Sequence, residues 1–214
     1  MNKTVTIVDY GIGNVLSVKR SLLYFNAEVE LTSDPEKIAN ASRLILPGVG
    51  AFGKGMEELE KRSLVAPIKS FSQKGNPFLG ICLGMQMMLT DSEEFGHHHG
   101  LNLIEGNVCK IPSYNPQNHF EKIPLIGWYE LSYAPKTSNW ENSPLKETPT
   151  NTSVYFVHSY RALTKELKHT IAQIEYNELP ITAAIKKDNL FGFQFHPEKS
   201  GPKGLEIIKN FLEL

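Results

Sequence analysis

The feature that most constrains the fold is a cysteine between two glycines, Gly80-Ile81-Cys82-Leu83-Gly84. The run at 76–79 before it predicts a short buried strand, and the run at 85–89 after it predicts a buried helix. A nucleophile in such a segment is typical of the nucleophile elbow, here with cysteine in place of serine. The chain must reverse within a few residues, and glycine avoids a clash beside the turn. The pattern predicts a parallel α/β fold with the sulfur near a helix N-terminus.

Strand and helix patterns alternate up to residue 89, which is typical of a parallel sheet with crossover helices. The predicted strands before the elbow are 5–9, 29–31 and 43–46. The predicted helices are 15–26 and 56–71, the second broken near Pro67.

After residue 90 short strand-like runs dominate, which indicates mixed or antiparallel pairing. These runs are 103–105, 107–111, 128–133, 153–157, 170–175, 181–185 and 191–195. A stretch rich in Pro, Asn, Ser and Thr at 112–151 predicts a long surface loop, and the spacing at 202–214 predicts a closing helix. We expect a single domain over residues 1–214.

Length and composition limit the classes of function. The 214 residues suffice for one α/β domain with its own core. The formal net charge of -1 favours neither a nucleic acid nor a membrane surface as a partner. Two cysteines imply no disulfide framework, and the N-terminus lacks a signal-peptide pattern. A reactive thiol fits a reducing compartment, so a cytoplasmic location is expected.

A second segment supplies the groups that a cysteine nucleophile needs. His196-Pro197-Glu198 follows an apolar strand, which would place the histidine at a strand end, where α/β active sites form. A histidine can act as the base, and a carboxylate two residues later can orient its ring. The sequence therefore predicts a catalytic triad of Cys82, His196 and Glu198.

Acyl chemistry also requires hydrogen-bond donors for a developing oxyanion. One donor is expected to be the backbone N–H of Leu83, directly after the nucleophile. The other is expected from the tight loop 47–50, where Val49 is the candidate.

Together, these segments resemble the class I, triad-type glutamine amidotransferases over nearly the whole chain. The similarity within that family is greatest to the glutaminase subunits of imidazole glycerol phosphate synthase, an enzyme of histidine biosynthesis. The segments that carry the resemblance are 9–14 (DYGIGN), 47–53 (PGVGAFG), 80–86 (GICLGMQ), 155–160 (YFVHSY) and 194–201 (QFHPEKSG).

The resemblance implies a three-layer, flavodoxin-like fold and a glutaminase mechanism without a cofactor. Cys82 would attack the side-chain amide of L-glutamine, and ammonia would pass to a (β/α)8-barrel synthase subunit in a heterodimer. The family pattern implies contacts with glutamine from Gly48, Gly50, Gln86, Glu94, His158, Ser159 and Tyr160. It implies a partner interface that includes Asn14, Trp128 and Lys199.

One segment departs from the family pattern. The family usually carries Pro-His-Met-Gly-Trp-Asn where this chain has Pro-Leu-Ile-Gly-Trp-Tyr at 124–129, so Leu125 replaces a histidine and Tyr129 an asparagine. This segment lies near the partner in the family. An alternative is therefore a paralogous subunit that supplies ammonia to another acceptor, such as an acetamidino sugar. A more distant alternative is a cysteine hydrolase of γ-glutamyl compounds.

Three consecutive histidines, His97-His98-His99, suggest a metal cluster. Adjacent side chains in a loop rarely converge on one ion without further ligands. The sequence alone therefore favours a surface loop and predicts no metal site.

Overall fold

The computed structural model describes residues 4–114 and 122–214. Its helices are α1 (Val15–Leu23), α2 (Pro35–Ala39), α3 (Phe52–Lys61), α4 (Val65–Ser72), α5 (Leu83–Met87) and α6 (Gly201–Leu212), with 3-10 turns at Leu167–His169 and Pro197–Lys199. Its strands are β1 (Thr4–Val8), β2 (Glu28–Thr32), β3 (Leu44–Leu46), β4 (Phe78–Ile81), β5 (Asp91–Ser92), β6 (His98–His99), β7 (Gly106–Lys110), β8 (Leu125–Glu130), β9 (Ser132–Tyr133), β10 (Ser153–His158), β11 (Tyr160–Thr164), β12 (Thr170–Tyr176), β13 (Leu179–Lys187) and β14 (Leu190–Phe193).

An eight-stranded sheet in the order β2-β1-β3-β4-β14-β13-β12-β9 forms the centre of the molecule. Neighbours from β2 to β14 are parallel, and those from β14 to β9 are antiparallel. Every residue of β4 and of β14 is buried, as expected for parallel strands that are covered on both faces. The expected mostly parallel sheet with additional antiparallel strands is confirmed.

Two apolar cores lie on either side of this sheet. One joins residues of α1 and α6 with residues of β10 and β12, and the other joins residues of α3, α4 and α5 with residues of β3. Two smaller sheets, β10-β8 and β11-β7-β5-β6, complete the second half of the chain. The parallel pairing of β4 with β14 places the carboxyl ends of these two strands side by side.

Several predicted boundaries differ from the observed ones. The helical run predicted at 56–71 is two helices, α3 and α4, which separate around Ser63 at φ 57° rather than near Pro67. Pro67 is the third residue of α4, and proline is tolerated in a first helical turn. Residues 103–105 form no strand, and β7 begins at Gly106.

The predicted surface loop at 112–151 is only partly correct. Residues 115–121 lie outside the described part of the chain, and β8 and β9 occupy 125–133. Trp140 and Leu145 are buried in the core, and the Trp140 indole Nε1–H donates to the carbonyl oxygen of Ile171 at 2.8 Å. Polar composition alone did not reveal these two anchors. No helix within the described ranges is long and apolar enough to cross a membrane.

Candidate active site

The sharp turn between β4 and α5 holds Cys82 in a conformation that is rare outside glycine. Its φ of 54° and ψ of -111° place it as the residue that caps α5, and its side chain is buried. Its backbone N–H donates to the carbonyl oxygen of Phe193 at 2.7 Å. A Cβ on Gly84 would overlap the carbonyl oxygen of Leu46, so this glycine lets α5 lie directly on β3. The elbow therefore exists because neighbouring strands fix a strained turn that the flanking glycines permit.

Strand pairing brings the second predicted segment to the elbow. β4 and β14 are parallel neighbours, with Ile81 opposite Phe193. Cys82 and His196 follow these residues at the same edge of the sheet. The backbone N–H of His196 donates to the carbonyl oxygen of Tyr155 at 2.9 Å, which fixes the histidine after the strand ends.

His196 and Glu198 form a buried charged pair. His196 Nδ1 lies 2.8 Å from Glu198 Oε1, and the two side chains are 2% and 0% exposed. Asn14 Nδ2 donates to the same carboxylate oxygen at 3.3 Å. Asn14 was predicted at the partner interface, so the structure adds a contact with the predicted triad that the sequence did not indicate.

The pKa of His196 reflects opposing effects. Burial lowers it, but hydrogen bonds and charge interactions with Cys82 and Glu198 outweigh burial and raise it to about 9. His196 Nε2 has no other partner with hydrogen-bond geometry among the described residues, so it is available to the sulfur and to substrate. An imidazolium between a thiolate and a carboxylate is the charge arrangement that activates a cysteine nucleophile.

The loop 47–50 covers the first N–H groups of α5. The Leu83 N–H, one of the two predicted oxyanion donors, donates to the carbonyl oxygen of Gly48 at 3.3 Å. Tyr10 Oη donates to the neighbouring carbonyl of Pro47 at 2.8 Å. Burial, and secondarily the charge of Cys82, raises the pKa of Tyr10, so its hydroxyl remains a donor. The loop conformation therefore occupies a donor that acyl transfer would require.

A cavity of about 580 Å³ opens over the cysteine. Its lining includes most of the residues predicted for glutamine: Gly50, Gln86, Glu94, His158, Ser159 and Tyr160, together with Val49, Leu83, Cys82 and His196. Gly48 is a buried residue of the loop and does not line the cavity. It contacts the site through its carbonyl oxygen instead.

Gln86 is held by a residue that was not predicted in the site. Its Nε2 donates to Gln194 Oε1 at 3.0 Å and to the carbonyl oxygen of Tyr160 at 3.2 Å. Gln194 Nε2 lies 3.7 Å from Cys82 Sγ, as a donor to the sulfur. The sequence offered two signals for Gln194: it follows the same apolar strand as His196, and it begins the segment 194–201 that carries the family resemblance. Its side chain is fully buried.

Glu94 links the cavity to the helix after the loop. Its Oε2 accepts the backbone N–H of Phe52 at 2.7 Å, so the carboxylate sits at the N-terminus of α3. Burial raises the pKa of Glu94, opposed by this hydrogen bond and by His98. The Glu94 carboxylate thus connects the cavity wall to the start of α3, directly after the loop 47–50.

His158 lines the cavity as a neutral imidazole. Burial lowers its pKa to about 4, against the contrary effect of its hydrogen bond to the Tyr160 carbonyl and with a further lowering by His196. Nδ1 is 2.8 Å from that carbonyl oxygen, so Nδ1 carries the proton. Nε2 is buried without a partner among the described residues and can accept a hydrogen bond.

An exposed aromatic face lies near the triad. Trp128 is 54% exposed, and its ring packs edge-on against Tyr155 at 6.0 Å between centroids. The Lys199 Nζ lies 6.0 Å from the Tyr155 ring centroid. The structure thus brings two of the three predicted interface residues together on one face.

Leu125 and Tyr129, two of the residues that depart from the family pattern, point away from that face. Leu125 is fully buried, and Tyr129 packs edge-on against Phe156 and Tyr176. Side chains alternate along a strand, so Leu125 and Tyr129 share the inner face of β8 while Ile126 and Trp128 share the outer face. Leu125 and Tyr129 therefore change inner packing, whereas the third difference, Ile126 in place of methionine, exchanges one apolar side chain for another on the outer face of β8.

Comparisons with known proteins agree with this geometry. The family model described as glutamine amidotransferase class-I matches residues 6–214. The "imidazole glycerol phosphate synthase subunit HisH 1" of Legionella pneumophila (strain Paris) is 52% identical over 211 residues, which cover 99% of each chain. The corresponding HisH subunit of Syntrophotalea carbinolica is 40% identical over 208 residues, covering 97% of this chain and 98% of that one.

A solved structure supports the fold independently. The structure titled "Structure of PurLQS from Thermotoga maritima" superposes with a TM-score of 0.73 and covers 100% of this chain and 99% of that one. Its sequence identity is 17%, so this similarity concerns the fold alone.

Proposed function

This chain belongs to the class-I glutamine amidotransferases, among the HisH subunits of imidazole glycerol phosphate synthase, and we propose that Cys82, His196 and Glu198 carry out its glutaminase reaction. The observation that carries the proposal is the buried His196–Glu198 pair beside a strained elbow cysteine. The cavity above them has the polar groups for a small amino acid.

The reaction follows from this arrangement. The Cys82 sulfur attacks the side-chain carbonyl carbon of glutamine, forming a C–S bond and an oxyanion. His196 then gives its proton to the departing nitrogen, so that the C–N bond breaks and ammonia leaves. A water molecule, deprotonated by His196, attacks the thioester carbonyl, and the C–S bond breaks to release glutamate and restore the thiolate. Glu198 holds the imidazole orientation throughout.

Substrate selection depends on both ends of glutamine. We expect Gln86 and the Glu94 carboxylate to contact its α-ammonium group and the segment 158–160 to lie beside its carboxylate. Gly50 leaves room for the backbone to approach the amide. These assignments rest on the cavity lining and on the family pattern.

The oxyanion hole requires the loop 47–50 to move. Leu83 N–H must leave the Gly48 carbonyl oxygen before it can donate to the oxyanion, and a second donor, from Val49, must turn inward. Removing one such donor costs about 2.7–4 kcal/mol in transition-state stabilisation in a serine protease. The free subunit is therefore expected to be a poor glutaminase.

A (β/α)8-barrel synthase subunit would form a heterodimer with the face that carries Trp128 and Lys199, and would receive the ammonia. The relatives' names support histidine biosynthesis over the acetamidino-sugar alternative. They likewise give no support to a γ-glutamyl hydrolase. A cytoplasmic location would keep Cys82 reduced.

The test is glutamate release by the complex of this chain with the barrel subunit. Cys82→Ser is expected to lower glutamine-dependent formation of imidazole glycerol phosphate at least a hundredfold, while added ammonium salt still supports product formation by the same complex. Cys109→Ser is the matched control and keeps full activity, because Cys109 lies on β7 and does not line the cavity. Unchanged glutamate release by the Cys82→Ser complex would contradict the proposal.

A further inference from the structure

The short hairpin of β5 and β6 brings an aspartate opposite the histidine run. β5 and β6 are antiparallel, with Asp91 directly opposite His99 and Ser92 opposite His98. Residues two apart on an extended strand share a face, so His97 and His99 lie on the same side as Asp91. Three side chains from two chain segments therefore converge on one face of the hairpin.

The distances within this cluster suit a small cation. Asp91 Oδ1 lies 2.7 Å from His99 Nδ1 and 3.6 Å from His97 Nε2. One candidate ligand atom from each residue lies within 4.8 Å of the others. Ligand atoms of a tetrahedral zinc ion are separated by about 3.3 Å when the bonds are ~2.0–2.1 Å long. Small rotations of the exposed side chains would equalise these separations.

The third histidine has a different environment. His98 is half-buried on the opposite face of the hairpin, where its ring lies against Gly53 of α3 and its charge acts on Glu94. It therefore supports the cavity wall and takes no part in the cluster.

We propose that Asp91, His97 and His99 form a binding site for a divalent transition cation of the Zn²⁺, Ni²⁺ or Cu²⁺ class. Two imidazoles and one carboxylate match the ligand preference of these ions, whereas Mg²⁺ and Ca²⁺ prefer oxygen ligands. The side chains are 64%, 83% and 32% exposed for His97, His99 and Asp91, so water can complete the coordination. Asp91 supplies the further ligand that the three consecutive histidines by themselves do not provide.

A cation at this site would link the two ends of the loop that carries Glu94. Its ligands stand at both ends of residues 91–99, and Glu94 and Phe95 between them line the cavity over Cys82. A bound cation would connect the two strands of the hairpin and restrain this loop.

The test is calorimetric titration of Zn²⁺ into the full-length Cys82→Ser/Cys109→Ser chain, which removes both thiols as competing ligands. We expect one saturable site per chain. His97→Ala and His99→Ala, each made in this background, should weaken binding at least tenfold, and Mg²⁺ should give no saturable binding.

His98→Ala in the same background is the matched control, because it removes an adjacent histidine from the opposite face. It should bind Zn²⁺ within about twofold of its parent. The proposal would be overturned if His97→Ala and His98→Ala lost equal affinity for Zn²⁺. It would also be overturned if the His97→Ala/His99→Ala variant bound Zn²⁺ as tightly as its parent. If the parent showed no saturable Zn²⁺ binding, the cluster would be only an ion pair, and the proposal would be overturned as well.

Electron paramagnetic resonance of bound Cu²⁺ provides a second readout that does not depend on affinity. The parent is expected to show coupling to two imidazole nitrogens, and His99→Ala coupling to one. A spectrum without nitrogen coupling in the parent would contradict the assignment of the ligands.

Discussion

At the scale of single residues, the proposed activation of Cys82 depends on the charge state of His196. Its ring has Glu198 on one side and Cys82 as a partner on the other, and these interactions outweigh the effect of burial on its pKa. A helix N-terminus alone would stabilise a Cys82 thiolate by only ~0.3–1 kcal/mol. A paired imidazolium would supply the remaining stabilisation of the thiolate.

Glu198→Gln is expected to lower the pKa of His196 from about 9, because the carboxylate charge is lost while burial remains. Glutaminase kcat in the complex should fall by about 10²–10⁴-fold. Histidine titration by NMR of the labelled chain and steady-state kinetics measure the two effects. An unchanged titration midpoint would show that Cys82 alone holds the imidazolium.

The same pair makes stability depend on pH in a defined direction. The folded-state pKa of His196 lies above the ordinary value of 6.5, so its contribution to stability is fully present below pH 6.5 and is lost as the pH rises through about 9. The loss of unfolding free energy caused by Glu198→Gln should therefore be larger at pH 6 than at pH 9.5. Urea unfolding at the two values measures this difference, and a larger loss at pH 9.5 would contradict it.

Gln194→Ala removes the amide that contacts the Cys82 sulfur and Gln86. We expect kcat to fall by about 5- to 150-fold, corresponding to ~1–3 kcal/mol for a buried polar network left incomplete. Gln173→Ala, on β12 of the same sheet, is the control and should retain activity. Equal kcat values for Gln194→Ala and Gln173→Ala would show that Gln194 has no role in the reaction.

At the scale of elements, the Gly48 carbonyl oxygen of the loop 47–50 occupies the Leu83 N–H at the start of α5, which the proposed oxyanion would need. Two hydrogen bonds stabilise the closed conformation of this loop. The Leu83 N–H donates to the Gly48 carbonyl oxygen, and Tyr10 Oη donates to the Pro47 carbonyl oxygen. The loop is therefore the element most able to control the reaction.

Tyr10→Phe removes one of these two hydrogen bonds and leaves the Pro47 carbonyl without its donor. The closed conformation should lose about 0.5–1.5 kcal/mol, so partner-free glutaminase activity should rise by about two- to tenfold. Tyr24→Phe, at a ring that is 69% exposed, is the matched control and should leave the rate unchanged. Lower activity in Tyr10→Phe would show that the hydroxyl supports the active conformation instead.

At the scale of the whole molecule, the two faces of β8 have different surroundings. Ile126 and Trp128 face outward, with Trp128 and Lys199 both near the Tyr155 ring, and Leu125 and Tyr129 face the core. Departures from the family pattern on the inner face are thus expected to affect stability more than partner recognition.

Trp128→Ala should weaken binding of the barrel subunit by at least about 30-fold, because large exposed aromatic side chains anchor interfaces at ~2 kcal/mol or more. Tyr129→Asn, which introduces the usual family residue, should leave the dissociation constant within about threefold but lower the unfolding free energy by about 1–3 kcal/mol. Calorimetric titration and urea unfolding separate the two effects. A large loss of partner affinity in Tyr129→Asn would show that the inner face does bear on recognition.

The sequence alone determined the local chemistry, because the elbow glycines, the His-Pro-Glu segment and the alternation of strand and helix patterns are short-range signals. It indicated the mostly parallel sheet and the triad residues for the same reason. The position of Gln194 beside the sulfur, the contact of Asn14 with Glu198 and the convergence of Asp91 with His97 and His99 are different. They depend on which strands become neighbours and on which face each side chain lies. Pairing between distant segments is a property of the packed sheet, so these contacts follow from the packing of the whole chain and not from any local stretch of it.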